Sequence, residues 1–250
     1  MRLLAEPVYL LIGICAMIFF IVTVPLFFLA YVILFAALPE KKAPHAAHAV
    51  SRFWAFLLSL VMLIPARVKG KEKIDPRQTY VFVANHQSQL DIPLYALSCR
   101  NTFRFLAKAE LGRIPLLGYV IRRLYLTVNR KDKADRAKSL QLMLSSIREG
   151  VSVFICPEGT RNRTSRPLLD FHDGAFRLAI EAQVPLAVLT VIDNRRRNSP
   201  KNPFSLRPGI MRAVWADPIP TTGLGQEDVP ALKRMAYDIM LKNLQDHAKE

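Results

Sequence analysis

The sequence predicts an α/β fold, in which a mixed, largely parallel sheet is covered by helices and an apolar segment precedes this body. Two observations predict it. Downstream of Arg67, short β-rich runs alternate with helical stretches, as in sheets whose strands are joined by helices. Upstream, no charged residue occurs from Val8 to Leu38. The expected division is a membrane-associated helical module over residues 1–66 and an α/β domain over residues 67–250.

The N-terminal segment is long enough to meet a membrane. A helix needs about 20 apolar residues to cross a bilayer, and Val8–Leu38 exceeds that length. Pro25 interrupts the run, so one bent helix and two shorter pieces are both compatible with it. A second uncharged run, Phe53–Pro65, covers about half a span and favours an interfacial or re-entrant helix. A polar linker that starts at Pro39 is expected between the two runs.

The body carries almost all of the positive charge. The formal net charge is +15, of which residues 1–65 contribute +2, so the rest holds +13. A basic surface suits anionic lipids, phosphorylated substrates or nucleic acid. No zinc spacing, helix-turn-helix signature or aromatic RNA motif accompanies the charge, and lipid is therefore preferred to nucleic acid. Lys41, Lys42 and Arg52 place this side of the apolar segment in the cytoplasm by the positive-inside rule.

Several runs of the body have the pattern of regular elements. The apolar runs predicted to be buried strands are Tyr80–Ala84, Val151–Ile155 and Leu186–Ile192. Apolar residues recur at helical spacing from Ala134 to Ile147, and Gly150 is a typical residue for the end of that helix. A last helix is expected from about Pro230.

A first cluster of polar residues, N-H-Q-S-Q-L-D from Asn85 to Asp91, follows a predicted strand. Histidine is the usual base for a hydroxyl proton, and a carboxylate on the other ring nitrogen fixes its tautomer. Positions five apart on one helix differ by about 140°. His86 and Asp91 therefore meet if His86 lies in the turn and Asp91 begins the next helix, with Ser88 as its cap. Alone, this spacing also fits an ordinary loop histidine.

A second cluster, P-E-G-T-R from Pro157 to Arg161, follows the predicted strand Val151–Ile155. Ligands of open α/β sheets bind beyond the carboxyl ends of strands. Gly159 lets the backbone approach a ligand closely, and Arg161 offers a planar fork for a phosphate. A basic surface turn is the alternative interpretation of these residues.

The two clusters, N-H-x-S-x-x-D and P-E-G-T-R about seventy residues apart, resemble the phospholipid acyltransferase superfamily and specifically its 1-acyl-sn-glycerol-3-phosphate acyltransferases. A block K-x-x-L-x-x-x-P-x-x-G begins at Lys108 and leads to Arg130, which also fits. So does F-H-D-G-A-F from Phe171, although the chain has His172 and Asp173 where Lys is common. The V-P dipeptide at Val184 lacks a second Pro that is frequent in the family. These departures concern the acceptor more than the reaction.

The resemblance implies a role for each matching residue. His86 would be the general base and Asp91 its orienting partner. The residues that would bind the substrate, through its phosphate or glycerol, are Lys108, Arg130, Glu158, Gly159, Thr160 and Arg161. Acyl-CoA or acyl carrier protein would be the co-substrate, with no cofactor, no metal and no covalent acyl-enzyme. The absence of a G-x-S-x-G elbow agrees with direct attack by the acceptor hydroxyl.

The implied reaction transfers a fatty acyl group to the sn-2 hydroxyl of 1-acyl-glycerol-3-phosphate, lysophosphatidate, and gives phosphatidate for phospholipid biosynthesis. The N-terminal helices resemble the family's two-helix membrane module. The expected location is the membrane, with the catalytic domain on the cytoplasmic face and membrane lipid, not nucleic acid, as its partner. One alternative is a different lysolipid acceptor. Another is an inactive membrane-anchored module that binds lipid or nucleic acid, against which the intact His86 and Asp91 argue.

Overall fold

The computed structural model describes residues 2–129, 132–198, 202 and 204–247. Within these ranges, the helices are α1 Arg2–Ala37, α2 Ala43–Val61, α3 Asp91–Ser98, α4 Leu117–Leu124, α5 Lys133–Arg148, α6 Gly174–Ala182, α7 Asn194–Arg197 and α8 Val229–Asp246. The strands are β1 Ala66–Lys69, β2 Val81–Ala84, β3 Phe103–Lys108, β4 Leu126–Val128, β5 Ser152–Ile155, β6 Leu186–Ile192 and β7 Met211–Trp215.

The strands of the described chain form one mixed sheet in the order β1-β7-β6-β2-β5-β3-β4. The five strands from β6 to β4 in this order are mutually parallel. β7 is antiparallel to β6, and β1 is parallel to β7. The prediction of a mixed, largely parallel sheet is confirmed. Because five neighbouring strands run in one direction, their carboxyl ends meet at one edge of the sheet.

The central strands owe their positions to continuous apolar sequence. Every residue of Val81–Ala84 and Leu186–Ile192 is buried. A strand covered on both faces has such a pattern, which is typical of parallel sheets between helices. β1, at an edge of the sheet, instead alternates between half-buried and exposed residues. The two fully buried strands coincide with predicted ones to within a residue.

Two hydrophobic cores cover the two faces of the sheet. Val81 and Val83 of β2 belong to a core shared with α5, α6 and α8. Phe82 and Ala84 of the same strand belong to a core shared with α1, α2 and α3. Successive side chains of a strand point to opposite faces, which explains this alternation. The N-terminal helices thus cover part of the sheet itself.

α1 is one continuous helix through Pro25, which decides between the two predicted arrangements. Among the described residues it is the helix that is long and apolar enough to cross a membrane, over Glu6–Ala37. Its outer face exposes large apolar side chains, including Val22 at 68% and Leu26 at 66%. An apolar face of this size marks a membrane or protein contact.

α2 begins well before the predicted apolar run Phe53–Pro65. The polar linker expected from Pro39 is therefore shorter than predicted, because Ala43–His48 is helical. Pro44 stands in the first turn, where its fixed φ favours a helix start and its missing N–H costs nothing. The buried face of this part consists of alanines and a histidine, so that apolar content alone does not reveal it.

α1 and α2 form an antiparallel helical hairpin. The Trp54 ring of α2 stacks on Phe20 and Phe27 of α1, with centroid distances of 5.2 Å and 5.0 Å. Its indole N–H donates to Thr23 Oγ1 at 2.9 Å. Aromatic stacking and a satisfied indole together hold the two helices as one unit.

Later helices agree with the sequence pattern. The helix predicted from Ala134 to Ile147 is α5, and Gly150 after it has φ +79°, a left-handed conformation that ends a helix cheaply only at glycine. The helix expected from about Pro230 is α8. Both pack on the core face opposite the N-terminal hairpin.

Candidate active site

Three predicted site residues follow neighbouring parallel strands at one edge of the sheet. His86 comes shortly after β2, Glu158 lies in the turn after β5, and Lys108 is the last residue of β3. β5 is paired with β2 on one side and with β3 on the other. This is the edge at which open α/β sheets bind ligands.

His86 and Asp91 form a hydrogen-bonded pair. His86 lies in the turn that leaves β2, and Asp91 is the first residue of α3, which is the arrangement that their spacing requires. Nδ1 of His86 lies 2.8 Å from Oδ2 of Asp91. The Asp91 side chain is fully buried, whereas that of His86 is 17% exposed. The carboxylate is therefore shielded while the ring remains accessible.

The backbone of the same turn also binds Asp91. Oδ2 accepts the N–H groups of Gln87 at 2.6 Å and Ser88 at 2.8 Å. The predicted capping of α3 by Ser88 is wrong, since Leu90 is the N-cap residue and makes no side-chain cap bond. Ser88 Oγ accepts the Leu90 N–H at 3.3 Å, just before the helix, and lies 3.2 Å from the carbonyl oxygen of Asn198. The Asp91 carboxylate and the Ser88 hydroxyl thus both bind backbone N–H groups of this turn.

Glu158 joins the two clusters. Oε1 accepts the backbone N–H of His86 and Oε2 that of Leu169, both at 2.8 Å. The backbone N–H of Asn162 donates to the carbonyl oxygen of His86 at 2.7 Å. Burial raises the pKa of the Glu158 carboxyl, and the two backbone hydrogen bonds oppose this shift. The loop after β5 thus binds both the backbone N–H and the backbone C=O of His86.

The rest of the P-E-G-T-R cluster lies beside this turn. Gly159 has φ +68°, and a Cβ there would lie 2.8 Å from Cδ2 of His172. Thr160 is exposed and Arg161 is half-buried. Nε of Arg161 is buried and has no hydrogen-bond partner among the described residues. A buried guanidinium donor of this kind fits an anionic group as its partner.

The structure does not place all of the predicted residues together. His86 forms hydrogen bonds with both Asp91 and Glu158. Lys108 is exposed at the same sheet edge, on a strand separated from β2 by β5. Arg130 lies outside the described residues. The phosphate-binding roles of these two basic residues therefore stay predictions.

Two asparagines outside the predicted site residues belong to the same buried network: Asn85, which opens the first motif, and Asn194, which no motif includes. Nδ2 of Asn194 donates to Oδ1 of Asp91 at 2.9 Å. The Asn85 amide bridges β2 to β6, since it donates to the Val191 carbonyl at 3.0 Å and accepts the Val191 N–H at 2.7 Å. Their signal in the sequence is position: each follows the carboxyl end of a fully buried strand.

Two cavities adjoin this edge from opposite faces of the sheet. An apolar cavity of about 420 Å³ lies among α1, α2, α3 and α4 and reaches Gln89 and Leu90 in the His86 turn. A second cavity, of about 760 Å³, lies towards α5 and α6 and reaches Glu158, Gly159 and Thr160. One cavity thus reaches the turn that carries His86, and the other reaches the loop after β5.

An imidazole oriented by a buried carboxylate, at the ligand-binding edge of an α/β sheet, defines a protein equipped for general-base chemistry. No nucleophile elbow of the G-x-S-x-G type occurs in the sequence. A family model described as Acyltransferase matches residues 65–192. The chain belongs to this acyltransferase family, and it is an enzyme.

Relatives agree with this assignment. A 1-acyl-sn-glycerol-3-phosphate acyltransferase of Chlamydomonas reinhardtii is 31% identical over 226 residues, which cover 86% of this chain and 66% of the relative. The 1-acyl-sn-glycerol-3-phosphate acyltransferase alpha of Mus musculus is 32% identical over 181 residues, which cover 71% and 63%. The chain thus spans less than two thirds of the length of these two relatives.

A solved structure shares the fold. The crystal structure of a 1-acyl-sn-glycerophosphate acyltransferase from Thermotoga maritima superposes with a TM-score of 0.80 and covers 100% of this chain and 99% of its own. The sequence identity is 23%, so this likeness concerns the fold. It extends over the N-terminal hairpin as well as the sheet.

Proposed function

We propose that this acyltransferase moves a fatty acyl group from acyl-CoA or acyl carrier protein to the sn-2 hydroxyl of lysophosphatidate, which yields phosphatidate for phospholipid biosynthesis. The hydrogen bond between His86 Nδ1 and the buried Asp91 carries the proposal, because it directs Nε2 towards an acceptor hydroxyl. The names of the two relatives described above support this acceptor.

The reaction follows from the pair. Nε2 of His86 takes the hydroxyl proton as the acceptor oxygen attacks the thioester carbonyl carbon. The tetrahedral intermediate collapses, the C–S bond breaks, and the imidazolium returns the proton to the leaving thiolate. Asp91 holds the ring in the required tautomer and stabilises its cation. The products are an ester and a free thiol, and no step is assigned to a metal or cofactor.

The acceptor phosphate is proposed to bind beside the catalytic turn. Arg161 supplies a buried donor with no partner among the described residues. Thr160 and Gly159 form the adjoining wall of the larger cavity. Lys108, on the same sheet edge, would add charge from the side. A guanidinium fork matches phosphate oxygens in pairs, which favours Arg161 as the main contact.

Acyl chains are proposed to occupy the apolar cavity. It lies between the N-terminal hairpin and the body, and it reaches Gln89 and Leu90 next to the His–Asp pair. A chain in this cavity would leave lipid and reach the site without crossing water. Burial of each CH₂ group contributes about 0.8 kcal/mol, so an apolar wall of this kind favours long chains.

The N-terminal end of α1 is fastened to the catalytic body. Glu6 forms an ion pair with Arg207 at 2.9 Å. The carbonyl oxygen of Tyr9 accepts the backbone N–H of Leu206 at 3.1 Å. The first turns of α1 therefore lie on the loop that precedes β7.

The other end of α1 contacts the same body through α4. Phe28 packs edge-on against Tyr119, with 5.6 Å between ring centroids, and the Arg123 guanidinium lies 5.6 Å from the centre of the Phe35 ring. A helix docked at both ends on one water-soluble body lies along the membrane. We propose that α1 and α2 sit in the cytoplasmic leaflet, with their exposed apolar faces in lipid.

An acceptor screen tests the function. Purified protein in mixed micelles is incubated with labelled acyl-CoA or acyl carrier protein and a panel of lysolipids, with the His86→Ala variant as control. We expect phosphatidate from lysophosphatidate at a rate well above that with lysolipids of larger headgroup. Preferential acylation of another lysolipid would replace the acceptor, and absence of any product that depends on His86 would refute the reaction.

A further inference from the structure

Asn194 contacts the catalytic carboxylate from a distant part of the chain. It is fully buried, and its Nδ2 donates to Oδ1 of Asp91 at 2.9 Å. The other carboxylate oxygen, Oδ2, serves His86 and the N–H groups of Gln87 and Ser88. Asn194 is thus the side chain that binds the oxygen turned away from the catalytic ring.

The amide of Asn194 is arranged for this one contact. Its carbonyl oxygen Oδ1 is buried with no hydrogen-bond partner among the described residues. A buried acceptor without a partner is destabilising, so the side chain is costly in its present place. Because this amide lowers the stability of the fold, we infer that its role is a different one. Its hydrogen bond to Asp91 indicates what that role is.

The same segment holds the catalytic turn at a second point. Asn198, at the end of α7, is buried, and both its carbonyl oxygen and its Oδ1 lie 3.2 Å from Ser88 Oγ. Its backbone N–H donates to the carbonyl oxygen of Asn194 at 3.0 Å. The segment after β6 therefore touches both Asp91 and the turn that carries His86.

We propose that Asn194 is a positioning residue, which, given the proposed function, sets the plane of the Asp91 carboxylate so that Oδ2 faces Nδ1 of His86. The side-chain torsion that turns a carboxylate is broad and weakly restrained on its own. The backbone N–H groups of Gln87 and Ser88 hold one oxygen, and the Asn194 donor on Oδ1 holds the other, so the plane is fixed at both ends. A neutral amide does so without altering the charge of the pair, which a carboxylate or an ammonium group would change.

The variants Asn194→Ala and Asn194→Asp test this role. Asn194→Ala removes the donor, and we expect kcat to fall about 10- to 100-fold with KM for both substrates unchanged, as for a lost hydrogen bond to a charged group. Asn194→Asp keeps the shape but sets two carboxylates side by side. Such a pair retains one shared proton to higher pH than a lone carboxyl, and in that form it can donate to Asp91.

The activity of Asn194→Asp relative to wild type should therefore rise as the pH falls from about 8 to about 5.5, whereas the relative activity of Asn194→Ala should stay level. The other titratable groups around Asp91 are His86, Glu158 and Tyr95. They are present in all three proteins, and the Asn194→Ala ratio, measured over the same pH range, is the baseline against which the Asn194→Asp ratio is read. Activities are normalised to the folded fraction measured by circular dichroism at each pH.

Asn243→Ala is the matched control. The Asn243 amide also binds a residue close to this segment, since it donates to Thr190 Oγ1 of β6 at 3.0 Å, but on the opposite side from the carboxylate. We expect its kcat to equal that of wild type. A loss in Asn194→Ala no larger than in Asn243→Ala, a loss confined to KM, or an Asn194→Asp ratio that is flat with pH would each overturn the proposal.

A measurement without turnover separates this proposal from the proposed function. The Nδ1–H proton of His86 is assigned in NMR spectra by its loss in His86→Ala. We expect its resonance to move upfield in Asn194→Ala, because a carboxylate free to turn makes a weaker bond. An unmoved resonance would overturn the positioning role even if lysophosphatidate proved to be the wrong acceptor, and a moved one would support it in that case too.

Discussion

His86 is held at three separate points of its structure. Asp91 binds its ring, Glu158 binds its backbone N–H, and Asn162 donates to its carbonyl oxygen. Two of these contacts use only the backbone of residue 86, so truncation of its side chain leaves both groups in place. Changes at residue 86 should therefore report on chemistry more than on folding, which makes the catalytic assignment testable.

Replacing His86 by alanine should lower kcat by about 10²–10⁴-fold, the usual contribution of general acid–base catalysis. Asp91→Asn should also be severe, because an amide cannot stabilise the imidazolium and would set its NH₂ or its oxygen against groups arranged for a carboxylate. Steady-state kinetics with lysophosphatidate measure both effects. A folded His86→Ala protein, with the unfolding temperature of wild type and near-normal turnover, would contradict the mechanism.

Arg161→Lys should raise KM for the phosphorylated acceptor while KM for the acyl donor changes little. A point charge cannot reproduce the two parallel hydrogen bonds of a guanidinium fork. Arg163 is exposed, and Arg163→Lys is the matched control with no expected effect. Equal losses for donor and acceptor would assign Arg161 to the donor or to the fold.

At the level of elements, strands buried on both faces were predictable because they are apolar throughout. β2 and β6 have this property, whereas β1 is half-exposed and β4 has only three residues. The His86–Asp91 contact was predictable because the two residues are five apart. Asn194 was not, since it lies 103 residues from Asp91 and only the order of the strands brings them together.

The start of α2 was not predictable from apolar content, because its buried face includes a histidine, His48. This ring lies edge-on to Phe103, with 4.7 Å between centroids, and so docks α2 on the start of β3. Burial lowers the pKa of His48 to about 4, and the charge of Arg52 acts in the same direction. A neutral histidine can be buried in a helix–sheet contact without the cost of burying a charge.

This shift predicts a loss of stability in acid. Well above a pH of about 6.5, His48 is neutral in both the folded and the unfolded chain. As the pH falls from about 6.5 to about 4, the unfolded chain binds a proton that the folded chain does not, which costs up to about 3 kcal/mol. His48→Phe should flatten this dependence in denaturant unfolding. A His48→Phe curve as steep as that of wild type would contradict the assignment.

For the whole molecule, the hairpin of α1 and α2 is both a cover of the sheet and the proposed contact with lipid. The core beneath it includes Ala16 of α1 together with Phe82 of the central strand β2. A Cβ at Gly13 would overlap the carbonyl oxygen of Phe204, so helix and body are in backbone contact there. The proposed lipid contact and the α/β sheet are therefore parts of one packing unit.

Because both ends of α1 are docked on the body, we predict that both lie on the same side of the membrane as the catalytic domain. Single cysteines are placed at Pro7 and Glu40, near the two ends of α1, in a protein whose three native cysteines are replaced by alanine. In sealed vesicles, a membrane-impermeant maleimide should label both positions from the side that bears the catalytic domain. Labelling of Pro7→Cys only from the opposite side would show that α1 crosses the bilayer.

The ion pair between Glu6 and Arg207 has a consequence for biosynthesis. If Glu6 remains beside the body, no part of the segment from Glu6 to Ala37 has to cross a bilayer. This segment then does not need a translocation channel. The protein could complete its folding around the hairpin and then partition into a leaflet. The membrane to which it binds would then be selected by the attraction between its basic surface and anionic lipids. The machinery that inserts spanning helices would have no part in that selection.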